Sequence, residues 1–189
     1  MRYKSTRDIS ANEYVTAAEA IKRGLAPDGG LYLPEGTPEL SLADIEKLCG
    51  MTYSERAAYI LSLFLDDYDK DGLKADCDAA YSEAKFPGGA APIADIGDGL
   101  YSLELWHGPT CAFKDMALQI MPRLLVRALR MTGEEKLAHI LVATSGDTGK
   151  AALEGYRDVD GVKMTVFYPN DGVSKMQQRQ MTTQEGNNV

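Results

Sequence analysis

Between residues 139 and 168 the sequence leaves little choice of architecture. His139-Ile140-Leu141-Val142-Ala143 is a short apolar run with the pattern of a buried strand. It passes into Thr144-Ser145-Gly146-Asp147-Thr148-Gly149-Lys150-Ala151-Ala152-Leu153, a glycine-bearing turn that becomes a helix, and a second strand run follows at Lys163 to Tyr168. Strand, helix and strand at this spacing make a parallel pair joined by a crossover. Leu100 to Trp106 reads as an earlier strand of the same sheet. The helix after it carries Met116, Ala117, Ile120, Met121, Leu124, Leu125 and Leu129 as a core-facing stripe, which Pro122 should kink or restart. A last helix begins near Ser174. The predicted fold class is therefore α/β.

The first half has another grammar. Thr16 to Glu19 reads as a capping box for a short helix that Gly24 closes, and Asp28-Gly29-Gly30 as a turn before an extended Leu31 to Pro34. Ser41 to Leu48 and Thr52 to Leu65 read as amphipathic helices, with a third from about Leu73 to Ala84. Phe86-Pro87-Gly88-Gly89-Ala90-Ala91-Pro92 has a linker's composition. The expected organisation is a helical N-terminal domain over residues 1–90, then a parallel βαβ three-layer domain over residues 91–189.

Composition excludes several functions. The 189 residues are 44% hydrophobic and 25% charged, ordinary for a globular chain. Twenty Lys and Arg against 28 Asp and Glu give a net charge of −8 without a basic block, so no nucleic acid is expected. No apolar run reaches membrane-spanning length, and the first residues do not read as a signal peptide. Cys49, Cys77 and Cys111 are odd in number and widely spaced, which fits a reducing cytoplasm rather than a disulfide framework. His107 and His139 lack a second ligand at metal spacing, so no metal is expected.

Two segments carry chemistry. In His107-Gly108-Pro109-Thr110-Cys111-Ala112-Phe113-Lys114-Asp115 a single lysine opens an apolar helix. Desolvation and the positive end of a helix dipole would both lower its pKa, which suits a Schiff-base lysine. A surface lysine at a helix start is the plainer reading. In the segment from Thr144, backbone N–H groups at the helix start can form an anion site, helped by Ser and Thr hydroxyls. A nucleotide-binding P-loop is excluded, because Thr144 replaces its first glycine and Ala151 its Mg²⁺-binding hydroxyl. An ordinary capped turn would look much the same.

Together these segments resemble threonine synthase, a pyridoxal-phosphate enzyme of the tryptophan-synthase-β-like fold. Glu104 to Asp115 is similar to the family's cofactor-lysine segment and Thr144 to Gly149 to its substrate-carboxylate loop. Tyr3 to Arg7 and Gly24 to Pro34 are similar to its N-terminal domain. The resemblance implies conversion of O-phospho-L-homoserine and water to L-threonine and phosphate, with pyridoxal 5'-phosphate on Lys114. It implies that Ser145, Gly146, Asp147 and Thr148 receive the substrate carboxylate, and that Ser174 and Arg179 help hold its phosphate. Asp147 has two readings, a group near the cofactor's phenolic oxygen or a carboxylate balancing the helix dipole. An exposed helix residue is the alternative for Arg179.

Threonine synthases are considerably longer, and Gly186 to Val189 reads as a turn entering a further strand. The chain is thus expected to be the N-terminal portion of such an enzyme, incomplete relative to the family. Neither the glycine-rich loop for the cofactor phosphate nor the hydroxyl facing the pyridine nitrogen is recognisable. An uncovered apolar face predicts self-association. Two other readings remain open to the same residues: a pyridoxal-phosphate-dependent phospho-lyase or serine/threonine dehydratase, and a non-catalytic truncated domain.

Overall fold

The computed structural model describes residues 1–8 and 13–189. It divides into two compact units, residues 1–79 with 127–135, and residues 80–126 with 136–189.

In the first unit β1 (Tyr3–Ser5) pairs antiparallel with β2 (Tyr32–Pro34), Lys4 opposite Leu33. Between them lies α1 (Ala17–Arg23). Thr16 caps it by accepting the Glu19 N–H, but the Glu19 carboxylate pairs with Lys22 and Arg23 instead of completing the expected box; Gly24 ends the helix at φ 70°, as the sequence implies. The Asp28 carboxylate accepts from the Ser5 hydroxyl at 2.7 Å and from the Gly30 N–H at 2.8 Å, which ties the turn to β1. These bonds hold the Asp28 carboxyl below its ordinary pKa, the Ser5 bond contributing most. Three helices follow: α2 (Leu42–Cys49), α3 (Tyr53–Phe64) and α4 (Lys70–Ala80). Ser41 and Thr52 form complete capping boxes with Asp44 and Glu55. No residue of α2 is buried, although its spacing is amphipathic. The helix expected from Leu73 to Ala84 begins a turn earlier, where Asp69 accepts the Gly72 N–H at 2.6 Å.

The second unit opens with β3 (Ile93–Gly97) and β4 (Leu100–Leu103). Here the structure corrects the sequence reading. The strand at Leu100 is not part of the parallel sheet; it pairs antiparallel with β3, Ile93 opposite Leu103. Asp98 at φ 53° and Gly99 at φ 75° both have positive φ, the requirement of a tight hairpin turn, and Asp-Gly supplies it. The apolar helix restarts at Pro122, one of the two outcomes its sequence implies, and gives α5 (Asp115–Leu118) and α6 (Met121–Met131). Pro122 has no N–H and its ring would strike the carbonyl of Leu118, four residues back. It is accommodated in the first turn of α6, where an N–H has no partner in any case.

The parallel pair is β5 (Ala138–Ala143) with β6 (Val162–Phe167), joined by α7 (Asp147–Tyr156), with α8 (Lys175–Thr182) following. Ile140 and Met164 are paired on one face, with Met164 and α7's Ala151, Ala152 and Leu153 buried in the core. The other face presents His139, Leu141, Lys163, Thr165 and Phe167, with Leu141 64% exposed. His139, expected to begin a strand, lies within β5 and meets the Thr165 hydroxyl at 3.0 Å. Gly186 to Val189 do not form a strand, but the Asn188 carbonyl accepts the Met164 N–H at 2.8 Å.

α7 packs on α5 because residue 155 is glycine. A Cβ there would overlap the Leu118 carbonyl, the oxygen that Pro122 leaves without a helical donor. We expect Gly155→Ala to destabilise the chain by about 2 kcal/mol or more in urea unfolding. Gly36→Ala, where a Cβ meets nothing within 4 Å, should stay within about 0.5 kcal/mol of the parent. Equal effects would refute the packing account.

Candidate functional site

The segment bearing Lys114 is held at both ends. At its start the His107 ring stacks on Trp106 with centroids 4.0 Å apart. Its Nε2 lies 2.7 Å from a Glu104 carboxylate oxygen and its Nδ1 3.2 Å from the Pro87 carbonyl. The loop then turns at Gly108, whose carbonyl accepts the Cys111 N–H at 3.0 Å. Cys111 sits at φ 58°, a left-handed conformation that costs a non-glycine residue roughly 1–2 kcal/mol.

At its other end the loop closes on Asp115, which has no exposed surface. One carboxylate oxygen accepts the Thr110 N–H at 2.8 Å and the other the Thr110 hydroxyl at 2.7 Å. The carboxyl lies so close under the turn that a Cβ on Gly108 would come within 2.5 Å of it. Burial pushes the Asp115 pKa up, and the bonds from Thr110 oppose that only in part.

Lys114 itself is half-buried at the N-cap position of α5, its Nζ 4.2 Å from the centroid of the Phe113 ring. Its carbonyl accepts the Ala117 and Leu118 N–H groups. The lysine therefore projects from a pinned turn that leads into one helical turn, not from the long helix expected.

The second loop is organised by Thr144. Its hydroxyl accepts the N–H groups of Gly146 and Gly149, both at 3.1 Å, so these two donors are already used. Among the described residues the N–H groups of Asp147 and Thr148 meet no acceptor, and the Ser145 side chain makes no hydrogen bond. Gly146 has φ 155° and packs against the Gln177 side chain. Asp147 is turned toward α8: its carboxylate accepts from the Gln177 side-chain amide at 2.7 Å.

Ser174 accepts the Gln177 N–H at 3.2 Å as the N-cap of α8, so its hydroxyl oxygen is part of a capping box. Arg179 is exposed on α8, and its guanidinium meets no carboxylate among the described residues. The structure thus joins Asp147 and Gly146 to the first turn of α8, and it places Lys114 on a separate loop leading into α5, which packs on α7. A cavity of about 330 Å³ beside β6, lined by Leu153, Val166, Met181 and Val189, includes none of the residues singled out from sequence.

Sequence reasoning missed Thr110, Asp115, Thr144 and Gln177 as organisers. The Ser-x-x-Gln spacing at 174–177 is a readable capping signature; the Thr110–Asp115 pairing has no comparable local signal. Among the described residues no group of three His, Cys, Asp or Glu could hold a metal ion, and no helix is long and apolar enough to cross a membrane.

Comparison with known proteins matches residues 2–81 to the family described as Threonine synthase N terminus. A threonine synthase of Pseudomonas aeruginosa is 40% identical over 190 residues, covering 100% of this chain and 39% of its own length. Among solved structures, the PLP-bound threonine synthase of Brucella melitensis superposes with a TM-score of 0.88 at 37% identity, covering 100% of this chain and 40% of its own. Yeast threonine synthase gives a TM-score of 0.89 at 35% identity, with coverage of 100% and 39%. The chain spans about two fifths of the length of the curated relatives it matches.

The raised Asp115 pKa has a definite sign. The folded chain holds that proton more tightly than the unfolded chain does, so Asp115's contribution to stability falls as pH rises through the interval between 3.8 and its folded value. The stability of the parent minus that of Asp115→Asn should decline over this interval and level off above it. A difference that grows with pH would mean that the Thr110 bonds outweigh burial.

Proposed function

Because the chain is related along its whole length to the threonine synthases and carries that family's N-terminal module, we propose that it is the lysine-bearing part of such an enzyme. The reaction is the conversion of O-phospho-L-homoserine and water to L-threonine and phosphate. The observation that carries the reading is the placement of Lys114 at the end of a turn pinned by a fully buried carboxylate.

The residues present fit an aldehyde cofactor such as pyridoxal 5'-phosphate in one respect that can be checked: Lys114 offers a half-buried primary amine against an aromatic ring. Such a cofactor, when bound, supplies a conjugated ring that accepts electrons from the substrate's Cα. The chain's own side chains do the rest. The Lys114 amine holds the cofactor and then moves protons at Cα and Cβ of the substrate. The Asp147 and Thr148 N–H groups, with the Ser145 hydroxyl, receive the substrate carboxylate at the start of α7. Gly146 lets the loop approach the ligand closely. Arg179, which meets no carboxylate among the described residues, suits the substrate phosphate, with Ser174 at the start of the same helix.

A cytoplasmic setting belongs to the same reading and is supported by the free thiols of Cys49, Cys77 and Cys111. So does self-association through the sheet face that carries Leu141 and Phe167. Leu141→Glu should shift the chain toward monomer in sedimentation at high concentration; an unchanged distribution would remove that face from consideration.

The central test is labelling with pyridoxal phosphate, borohydride reduction and peptide mapping. The expected result is a stable pyridoxyl label on Lys114, absent in Lys114→Ala. Labelling spread over exposed lysines, with Lys114 no more reactive than the rest, would refute the assignment.

A further inference from the structure

We propose that Gln177 is a positioning residue: its amide links the two loops assigned to the substrate's carboxylate and phosphate, and it keeps the helix-end donors of α7 free. The proposal rests on the functional reading of those loops given above.

The geometry is specific. The Gln177 Nε2 donates to an Asp147 carboxylate oxygen at 2.7 Å, while its Oε1 accepts the Ser174 N–H at 3.3 Å. Its backbone N–H donates to the Ser174 hydroxyl at 3.2 Å. The amide also lies where a side chain at residue 146 would be, 2.6 Å from a Cβ built there. One amide thus caps α8, orients Asp147 and requires glycine at 146.

The consequence is chemical. A carboxylate on the first residue of a helix is placed to accept that helix's own unpaired N–H groups. At α7 it would block the donors that the substrate carboxylate needs. Gln177 draws the Asp147 carboxylate toward α8, and among the described residues the Asp147 and Thr148 N–H groups remain without an acceptor. Ser174 and Arg179 stand on the same helix, so whatever shifts α8 shifts the carboxylate loop with it.

Capping and coupling can be separated. Glutamate is a standard partner in a capping box, so Gln177→Glu keeps the cap on α8 but sets two carboxylates against each other. Adding Asp147→Asn restores the bond in reverse, the new amide donating to the new carboxylate. Gln178→Glu adds the same charge one residue away without touching the link.

The experiment titrates each variant of the chain with inorganic phosphate, following the ¹⁵N–¹H shifts of residues 147 and 148, with hydrogen exchange at the residue 177 amide as the monitor of the cap. Gln177→Glu should keep that amide protected and weaken phosphate binding at 147 and 148 about tenfold, the loss expected when a charge-assisted bond becomes a repulsion. The double variant should recover to within about twofold, and Gln178→Glu should stay within about twofold of the parent. The proposal is overturned by an unchanged titration in Gln177→Glu, by no recovery in the double variant, by an equal loss in Gln178→Glu, or by loss of protection at residue 177. Lys114 labelling is read separately: if it fails in the parent chain the catalytic assignment fails, while the titrations still decide the link.

Discussion

A carboxylate with no exposed surface must find hydrogen-bond donors within the protein, and Asp115 takes two from one residue, Thr110. That pairing sets the geometry around it. Four residues lie between donor and acceptor, so the backbone from Thr110 to Lys114 has to fold back over the carboxylate. Gly108 must lack a side chain because the carboxyl fills the space beneath it. Lys114 immediately precedes the buried group, so its backbone cannot move without breaking those bonds. The His107 contacts with Glu104 and the Pro87 carbonyl fix the other end. What remains free is the lysine side chain.

The same economy governs the loop before α7. A helix N-terminus has several unpaired N–H groups, and the Thr144 hydroxyl consumes those of Gly146 and Gly149. Among the described residues the Asp147 and Thr148 N–H groups are left without an acceptor. The opening is therefore smaller than a bare glycine-rich turn suggests, and its boundary is set by a threonine that sequence comparison with a P-loop treats only as a missing glycine.

Local features were legible in the sequence and reciprocal ones were not. The helices that start after Thr16, Ser41, Thr52 and Ser174 are each held by side-chain bonds within three or four residues, and each begins where the sequence implies. β5, α7 and β6 are equally local, a run of apolar residues followed by a glycine turn. The Leu100 run reads as a strand of the parallel sheet because its apolar pattern does not name a partner. The Asp98-Gly99 turn that does name one lay outside the run. The break in the helix after Lys114 is legible as well, because Pro122 cannot sit under the Leu118 carbonyl in a continuous helix, and the chain restarts there as α6. Lys114 and the loop from Thr144 to Gly149 are visible as residue types in order. Asp115 and Gln177 are not, because their roles lie in bonds to Thr110 and Asp147 that spacing alone does not reveal.

Two costs are concentrated beside Lys114. Cys111 holds a left-handed backbone at φ 58°, where glycine would be unstrained, and Asp115 holds a carboxylate away from water. Each would be removed by a simple substitution if the segment had only to connect a strand to a helix. Strain persists where the surroundings over-determine a conformation, and such positions gather at sites with a geometric task. Here the surroundings are the Thr110 bonds, the Gly108 approach and the His107 anchor, all within eight residues of the amine. A solvated lysine at a helix start needs none of them, whereas an amine that must meet a carbonyl carbon at a fixed distance and angle needs a backbone that does not move.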